Sequence, residues 1–386
     1  MEQLLACLPK PPDFAWDWAA LQTTALAPLF ERMEKTQQNP AWHGEGDVWT
    51  HTRMVCGALA GLADFRALPD APRQALALAA LLHDAGKPSC TRLEDGVLVS
   101  PHHGAEGAAL VRGLLWEEFD LAGDAQKQQL RETVCFLIRY HTLPLHLMDN
   151  ADPALRARRV AANGQLCPDF TLHLLCLLSE ADVRGRISAD TQEKLEEIQL
   201  SRELAQEAGC LHGPCAFASP VTAHACLSGK SVWPEQQLHD DSWGEVILLC
   251  GLPGTGKDTW IAQNCAQLPT VSLDDIRREM NIKPTDKQGR VVQAAQEQAR
   301  RHLRAKQPFV WNATSLTPML RRKQIQLFEE YGASVRIVYL ETGWAENMRR
   351  NAGRVHRVPE SVIGSMLGRL IPPERQEARH VEWLCI

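Results

Sequence analysis

No two of the twelve cysteines form a Cys-x-x-Cys pair, and they gather into no compact framework, so a disulfide-stapled scaffold is not expected. No uninterrupted apolar run approaches the roughly 20 residues that a membrane-spanning helix needs. Internal repetition of solenoid period is missing as well. Nothing near Met1 combines basic and apolar residues as a secretory signal does. Together these absences point to a cytoplasmic enzyme with reduced thiols and no membrane partner. Strand-like runs are nearly absent too, but only in the first half of the chain, and that asymmetry is the first clue to its organisation.

A chain of 386 residues exceeds what one compact core usually holds, so two domains are expected. Over 1–208 apolar residues recur at three-to-four spacing, for example in 54–62, 75–82, 132–139 and 172–181, which predicts a helical domain. Between 209 and 244 the periodicity fails and Gly213-Pro214, Ser219-Pro220 and Trp233-Pro234 read as an interdomain connector. Over 245–386 short β-branched or aromatic runs at 246–250, 309–311 and 335–340 alternate with helical patterns at 293–306 and 319–331. That alternation predicts a parallel sheet with helical crossovers. The expected fold class is therefore multidomain, all-α followed by α/β.

The net charge of -6 conceals a division. Residues 1–244 carry 20 Lys+Arg against 32 Asp+Glu, whereas 245–386 carry 21 against 15. A polyanion such as nucleic acid would meet the basic second part rather than the acidic first.

Two sets of residues carry chemistry. In the first part His51, the doublet His83-Asp84, His103, His141 and Asp182 lie on or beside apolar helical segments. Neutral imidazole and carboxylate are good ligands for divalent metals. Adjacent residues on a helix point about 100° apart, so His83 and Asp84 can face one centre only at a helix end or kink, which Gly86-Lys87-Pro88 supplies. A single histidine on an apolar helix is more often a satisfied core residue, so the ordered set carries the argument. In the second part Val246–Cys250 runs into Gly251-Leu252-Pro253-Gly254-Thr255-Gly256-Lys257, and a helix is expected over 259–268. In such a loop backbone N–H groups and the lysine cradle the phosphates of ATP. Asp258 stands where Ser or Thr normally contacts Mg²⁺, with Thr259 next.

These residues resemble known families. The leading His51, the His83-Asp84 doublet and Asp182 in Glu180-Ala181-Asp182-Val183-Arg184-Gly185-Arg186 resemble the HD-domain phosphohydrolases. The resemblance implies one or two divalent metals on His51, His83, Asp84, His103, His141 and Asp182, with His102 competing with His103 for its place. It further implies Lys87 as a phosphate-binding cation, with Arg186 in a similar role. The metal would be Mn²⁺, Fe²⁺, Co²⁺, Ni²⁺ or Zn²⁺.

The loop, with Gly251, Gly254, Thr255, Gly256, Lys257, Asp258 and Thr259, leads to Ser272-Leu273-Asp274-Asp275-Ile276-Arg277. This stretch resembles phage-type polynucleotide 5′-kinases, which implies Asp274 as the base for the acceptor hydroxyl and Arg277 as a substrate-phosphate ligand. The plainer alternative is an Asp that caps a helix. Arg350 and Arg354 resemble the same kinases' lid arginines, which clamp ATP phosphates. Asn312 stands where those kinases commonly have Asp.

The two resemblances together match the HD-Pnk RNA end-healing enzymes, fusions of an HD phosphohydrolase with a polynucleotide kinase. They imply ATP, Mg²⁺ and RNA or DNA ends as partners, a separate RNA ligase downstream, 5′-OH phosphorylation, and removal of 2′,3′-cyclic, 2′- or 3′-phosphate. Alternatives are a nucleotide phosphohydrolase fused to a nucleoside kinase in small-molecule salvage, and an ATP-gated HD regulator, which Asp258 and Asn312 favour. Two weaker signals are set aside: Cys210, His212, Cys215, His224 and Cys226 as a zinc site, and Trp16, Trp18, Trp42 and Trp49 as base-stacking residues rather than packing.

Overall fold

The computed structural model describes residues 1–386, which divide into two compact units. Met1–Ala122 with Gln126–Cys215 form the first, and Gly123–Ala125 with Ala216–Ile386 the second.

The first unit is helical, apart from a short hairpin. Its centre is the helix Asp70–Leu82, whose residues from Ala75 to Leu82 are fully buried. A helix apolar all round must be enclosed by others. The helices Val48–Gly61 and Leu172–Arg184 pack against it and against each other. Asp47 fixes the start of Val48–Gly61 by accepting from Thr50 N at 2.8 Å, which puts His51 near the helix start. Thr171 caps Leu172–Arg184 in the same way, and Asp182 falls in its last turn. The other candidate ligands lie at helix ends: His83 follows Leu82, His103 begins His103–Glu117, and His141 follows Ala125–Tyr140.

Gly86 makes this convergence feasible. A Cβ there would lie 2.1 Å from the carbonyl oxygen of His103 and 2.6 Å from Gly107 N, so only glycine lets the turn after His83-Asp84 press against the His103 helix. Between them runs the hairpin β1 (Arg92–Glu94) and β2 (Val97–Val99), closed by Asp95 and Gly96, both at positive φ. Asp-Gly suits a two-residue turn of that hand. The sequence reading missed the hairpin because its strands are three residues long and largely exposed.

The second unit holds a five-stranded sheet in the order β4 (Thr270–Ser272), β5 (Val310–Asn312), β3 (Glu245–Cys250), β6 (Ser334–Glu341), β7 (His380–Cys385), with every pairing parallel. β3 is central and buried over five of its six residues, as a strand covered on both faces should be. The chain leaves β3 for β4 on one side and later fills β6 on the other, so the C-terminal end of β3 is a switch point where α/β sheets open a ligand crevice. Ile247, Leu249, Val310, Val338 and Leu340 pack with Trp260 of the following helix.

That helix is Lys257–Asn264, not 259–268: it begins at Lys257 because Gly256, at φ 83°, supplies the left-handed residue before its first turn. β4 and β7 were not anticipated, since one is three residues long and the other is a half-buried edge strand with a mixed pattern. The 209–244 segment is not irregular throughout. Ser219 accepts from Thr222 N at 3.1 Å and Pro220 takes the first helical position, so the Ser-Pro pair read as a breaker starts the helix Pro220–Leu227.

Candidate active sites

In the helical unit the six predicted His and Asp side chains converge. His83, His103 and His141 share one device: Nδ1 of each donates to the carbonyl three residues earlier, Ala80 at 2.9 Å, Ser100 at 2.8 Å and Ile138 at 2.6 Å. A carbonyl only accepts, so Nδ1 carries the proton and Nε2 keeps its lone pair. All three lone pairs face inward. His83 Nε2 is 3.3 Å from Asp84 Oδ2, and His103 Nε2 is 3.5 Å from Asp84 Oδ1 and 3.1 Å from His141 Nε2. His51 turns Nε2 to Asp182 Oδ1 at 3.0 Å, with Asp84 Oδ2 at 3.7 Å. Asp84 thus turns Oδ2 toward His51 and His83 and Oδ1 toward His103, and two groups, His51 with His83 and Asp182, and Asp84 with His103 and His141, are each close enough to hold one ion.

The donor set fits divalent metals on physical grounds. Asp84 is 1 % exposed, His83 Nε2 and Asp84 Oδ1 are buried without a hydrogen-bond partner, and Asp84 Oδ2 meets the Lys87 ammonium alone. Lone pairs left facing each other in a dry centre are costly unless a cation lies among them. Burial would depress the His51 pKa, but the Asp182 and Glu45 carboxylates hold it up to about 9, so this ring would ligate only on giving up its Nε2 proton. Burial, with His103 and His83 alongside, pushes His141 down to about 3, so its ring is neutral and ready to ligate. Despite burial, the neighbouring His83 ring and the Lys87 ammonium hold Asp84 well below the usual carboxylate range.

Around the cluster, Lys87 Nζ is 2.8 Å from Asp84 Oδ2 and donates to Gln38 Oε1 at 2.6 Å. Arg186 has buried Nε and Nη2 atoms with no partner, and its charge is felt at Asp182. His102 is exposed and left-handed at φ 59°, so His103 is the histidine that enters. A cavity of about 370 Å³ opens beside the cluster, lined by Lys87 and His103 together with Gln38, Asn39, Trp42 and His43. Trp42 is 50 % exposed there. Trp16, Trp18 and Trp49 instead pack on one another and on Phe30.

Two functional groups escaped the sequence reading. Glu45 Oε1 lies 2.8 Å from His51 Nδ1 and 2.9 Å from His43 Nδ1, while Oε2 accepts from Ile187 N at 2.8 Å. Glu45 is held down to about 2: burial opposes this, and the His51, Ile187 and His43 contacts outweigh it. His43 and Glu45 lie in a loop without periodicity. The available signal was an acidic residue six positions before His51, the kind of partner that fixes a ligating imidazole.

In the α/β unit the loop after β3 has Gly251, Gly254 and Gly256 at φ 145°, 87° and 83°. A Cβ on Gly251 would sit 2.3 Å from Leu340 O, which only glycine avoids. Thr255 Oγ1 donates to Leu252 O at 2.9 Å, and Asn347 Nδ2 braces the loop through Pro253 O at 3.1 Å. Lys257 Nζ folds back onto the carbonyls of Gly251 at 2.9 Å and Leu252 at 2.8 Å. Burial lowers its pKa to about 8, with Asp258 and Asp274 opposing and Arg354 adding to the shift. Thr259 is exposed on the same helix.

Asp274 and Arg277 form an ion pair on the helix Leu273–Glu279, and Arg277 Nε also donates to Gln288 Oε1 at 2.9 Å. The residue that caps this helix is Ser272, which accepts from Asp275 N at 3.3 Å, so the alternative of Asp274 as a cap falls away. Arg350 is held by Glu346 Oε1 at 2.6 Å, with one guanidinium nitrogen 3.3 Å from where a Cβ on Gly256 would be. Arg354 follows the helix Trp344–Ala352, close enough for its charge to reach Lys257. Of the set-aside zinc candidates, His224 pairs with Glu329 Oε1 at 2.9 Å and Cys226 donates to Val232 O at 3.0 Å.

Comparison with protein families gives two matches: the HD domain over residues 48–167 and the AAA domain over residues 246–373. The first spans His51 to His141 and stops short of Asp182; the second includes the glycine-rich loop, Asp274, Asn312, Arg350 and Arg354. No curated protein matches the chain. An HD domain therefore precedes a P-loop, kinase-like AAA domain, a combination that supports phosphohydrolase and kinase chemistry on one polypeptide. No helix is long and apolar enough to cross a membrane.

Proposed function

We propose that the chain heals broken RNA ends, phosphorylating a 5′-OH with ATP in the α/β unit and removing 2′,3′-cyclic, 2′- or 3′-phosphate in the helical unit. What supports the reading is the presence on one chain of the Nε2-lined His/Asp cluster around Asp84 and of the glycine loop followed by the Asp274–Arg277 pair.

In the helical unit His51, His83, Asp84, His103, His141 and Asp182 would hold one or two divalent ions. Bound metals supply charge that polarises the phosphoryl group and activates water. Lys87, steered by Gln38, offers its ammonium to a phosphoryl oxygen, and the unpaired Arg186 nitrogens offer a second cation. The adjoining cavity of about 370 Å³ suits the terminal nucleoside, with the Trp42 indole as a stacking surface.

In the α/β unit the loop N–H groups and Lys257 hold the β and γ phosphates, and Arg350 and Arg354 close over them. Phosphoryl transfer depends on positioning and charge neutralisation more than on covalent chemistry, so this inventory suffices. Asp274 accepts the proton of the attacking hydroxyl, and Arg277 leaves its ion pair to bind the substrate phosphate.

Two variants separate the activities. With a 5′-OH, 2′,3′-cyclic-phosphate RNA, Asp274→Ala is expected to lose kinase activity and keep end hydrolysis, and Asp84→Asn the converse. Wild-type activity on nucleosides comparable to that on RNA would favour salvage, and ATP-controlled hydrolysis that survives in Asp274→Ala without any wild-type phosphoryl transfer would favour the regulator.

A further inference from the structure

The α/β site departs from the phosphate-loop pattern at two points. Asp258 follows Lys257 where a Ser or Thr hydroxyl normally meets Mg²⁺. Asn312, at the end of β5, is an amide where the polynucleotide kinases that this unit resembles commonly have Asp. Taken singly, the first change adds negative charge beside a triphosphate and the second removes a metal-orienting acid. The structure joins them: Asn312 Nδ2 donates to Asp258 Oδ1 at 2.7 Å.

The contact follows from the fold. β3 and β5 are neighbouring parallel strands with Leu248 opposite Trp311, so their C-terminal ends lie side by side. The loop leaving β3 brings Asp258 into the first turn of Lys257–Asn264. The amide spends a donor on one carboxylate oxygen and leaves Oδ2 open, and Asp258 is solvent-exposed at the mouth of the loop. The nearest hydroxyl alternative within the loop is committed elsewhere, since Thr255 is fully buried and bonded to Leu252 O.

We infer that Asp258 and Asn312 are an exchanged pair, with the carboxylate moved from strand to loop and a neutral donor left on the strand, and that Asp258 Oδ2 is the protein ligand to the magnesium of bound ATP. Asn312 acts as a positioning residue that fixes the carboxylate rotamer. Magnesium is a hard cation that favours oxygen ligands and is usually held by one or two carboxylates together with substrate phosphates. The inference rests on ATP binding at this loop, as proposed above, and is independent of which hydroxyl accepts the phosphate. Its consequence is electrostatic. Without metal the carboxylate repels the triphosphate, and with metal it attracts the complex, so the metal sets ATP affinity more strongly than a hydroxyl ligand would.

The test is calorimetric titration of the full-length protein with ATP, once in EDTA and once in excess Mg²⁺, for wild type, Asp258→Asn and the double exchange Asp258→Ser with Asn312→Asp. Thermal melts confirm that the variants fold. The expected result is a metal-dependent gain in affinity of at least about tenfold in wild type, most of it lost in Asp258→Asn, which binds metal-free ATP more tightly than wild type. The double exchange is expected to recover the gain. Mn²⁺ substituted for Mg²⁺ gives a second readout, because its paramagnetic resonance spectrum in the ternary complex should differ between wild type and Asp258→Asn. An unchanged metal dependence and an unchanged spectrum in Asp258→Asn would overturn the inference while leaving the kinase reading intact. Failure of wild type to bind ATP under either condition would overturn both.

Discussion

Replacing Glu45 by Gln tests the helical site at the carboxylate that stands behind His51, on its Nδ1 side. Glu45 makes three contacts: 2.8 Å to His51 Nδ1, 2.9 Å to His43 Nδ1 and 2.8 Å from Ile187 N. Glutamine has one acceptor oxygen, and keeping the Ile187 bond commits it. Its NH₂ then faces His51 Nδ1 and can only donate, which drives the imidazole proton to Nε2 and removes the lone pair aimed between Asp182 and Asp84. Partners that orient ligating histidines are typically worth about 10- to 100-fold in metal affinity or activity. The prediction for Glu45→Gln is therefore a loss of that size in metal affinity, read by calorimetry, and in 3′-end hydrolysis, read with the cyclic-phosphate RNA. The 5′-kinase rate, measured in the same preparation, should not change. Wild-type metal affinity in Glu45→Gln would refute the assignment of Nε2 as a ligand, because the proton has nowhere else to go.

Three further outcomes are expected. Trp42→Ala should lower kcat/KM for RNA 3′ ends by roughly 5- to 150-fold, the worth of one stacked base at about 1–3 kcal/mol, and leave a small alkyl phosphoester unaffected; equal losses on both would assign Trp42 to folding. Lys257 has a pKa lowered to about 8 by burial, so its charge is disfavoured in the free protein and restored by a triphosphate. ATP binding should thus take up about half a proton at pH 8 and almost none at pH 6.5, which calorimetry in buffers of different ionisation enthalpy measures; identical uptake at the two pH values would contradict it. Gly86→Ala puts a methyl 2.1 Å from the carbonyl oxygen of His103, so it should lower the melting temperature and abolish metal binding in the helical unit. A fully metal-loaded Gly86→Ala protein would show that this close approach is dispensable.

The set of side chains that converges in the helical unit was more legible than the architecture that brings it together. His51, the His83-Asp84 doublet, His141 and Asp182 could be read because metal chemistry restricts residue type, and the helix break at Gly86-Lys87-Pro88 explained how adjacent residues face one centre. The choice between His102 and His103 was not legible, because it turns on the left-handed backbone of His102. Glu45 and Gln38 act through contacts across the fold, and no periodicity marks a loop carboxylate or amide as a brace. In the sheet, β3 and β6 were read from continuous apolar runs, whereas the edge strands β4 and β7 lacked them. Ser219-Pro220 shows the limit of local signals, since a dipeptide that marks a break in periodicity here caps and starts a helix. The bond between Asp258 and Asn312 joins residues 54 positions apart and turns two apparent defects into one arrangement.

The central claim is that one polypeptide works on both ends of an RNA break. Its most direct test is mass analysis of one oligonucleotide, carrying a 5′-OH and a 2′,3′-cyclic phosphate, after incubation of the intact protein with ATP, Mg²⁺ and each of Mn²⁺, Co²⁺, Ni²⁺, Fe²⁺ and Zn²⁺. The expected product carries a 5′-phosphate and a 3′-hydroxyl on the same molecule. An oligonucleotide returned unaltered at both ends, while mononucleotides or nucleosides are turned over, would contradict it.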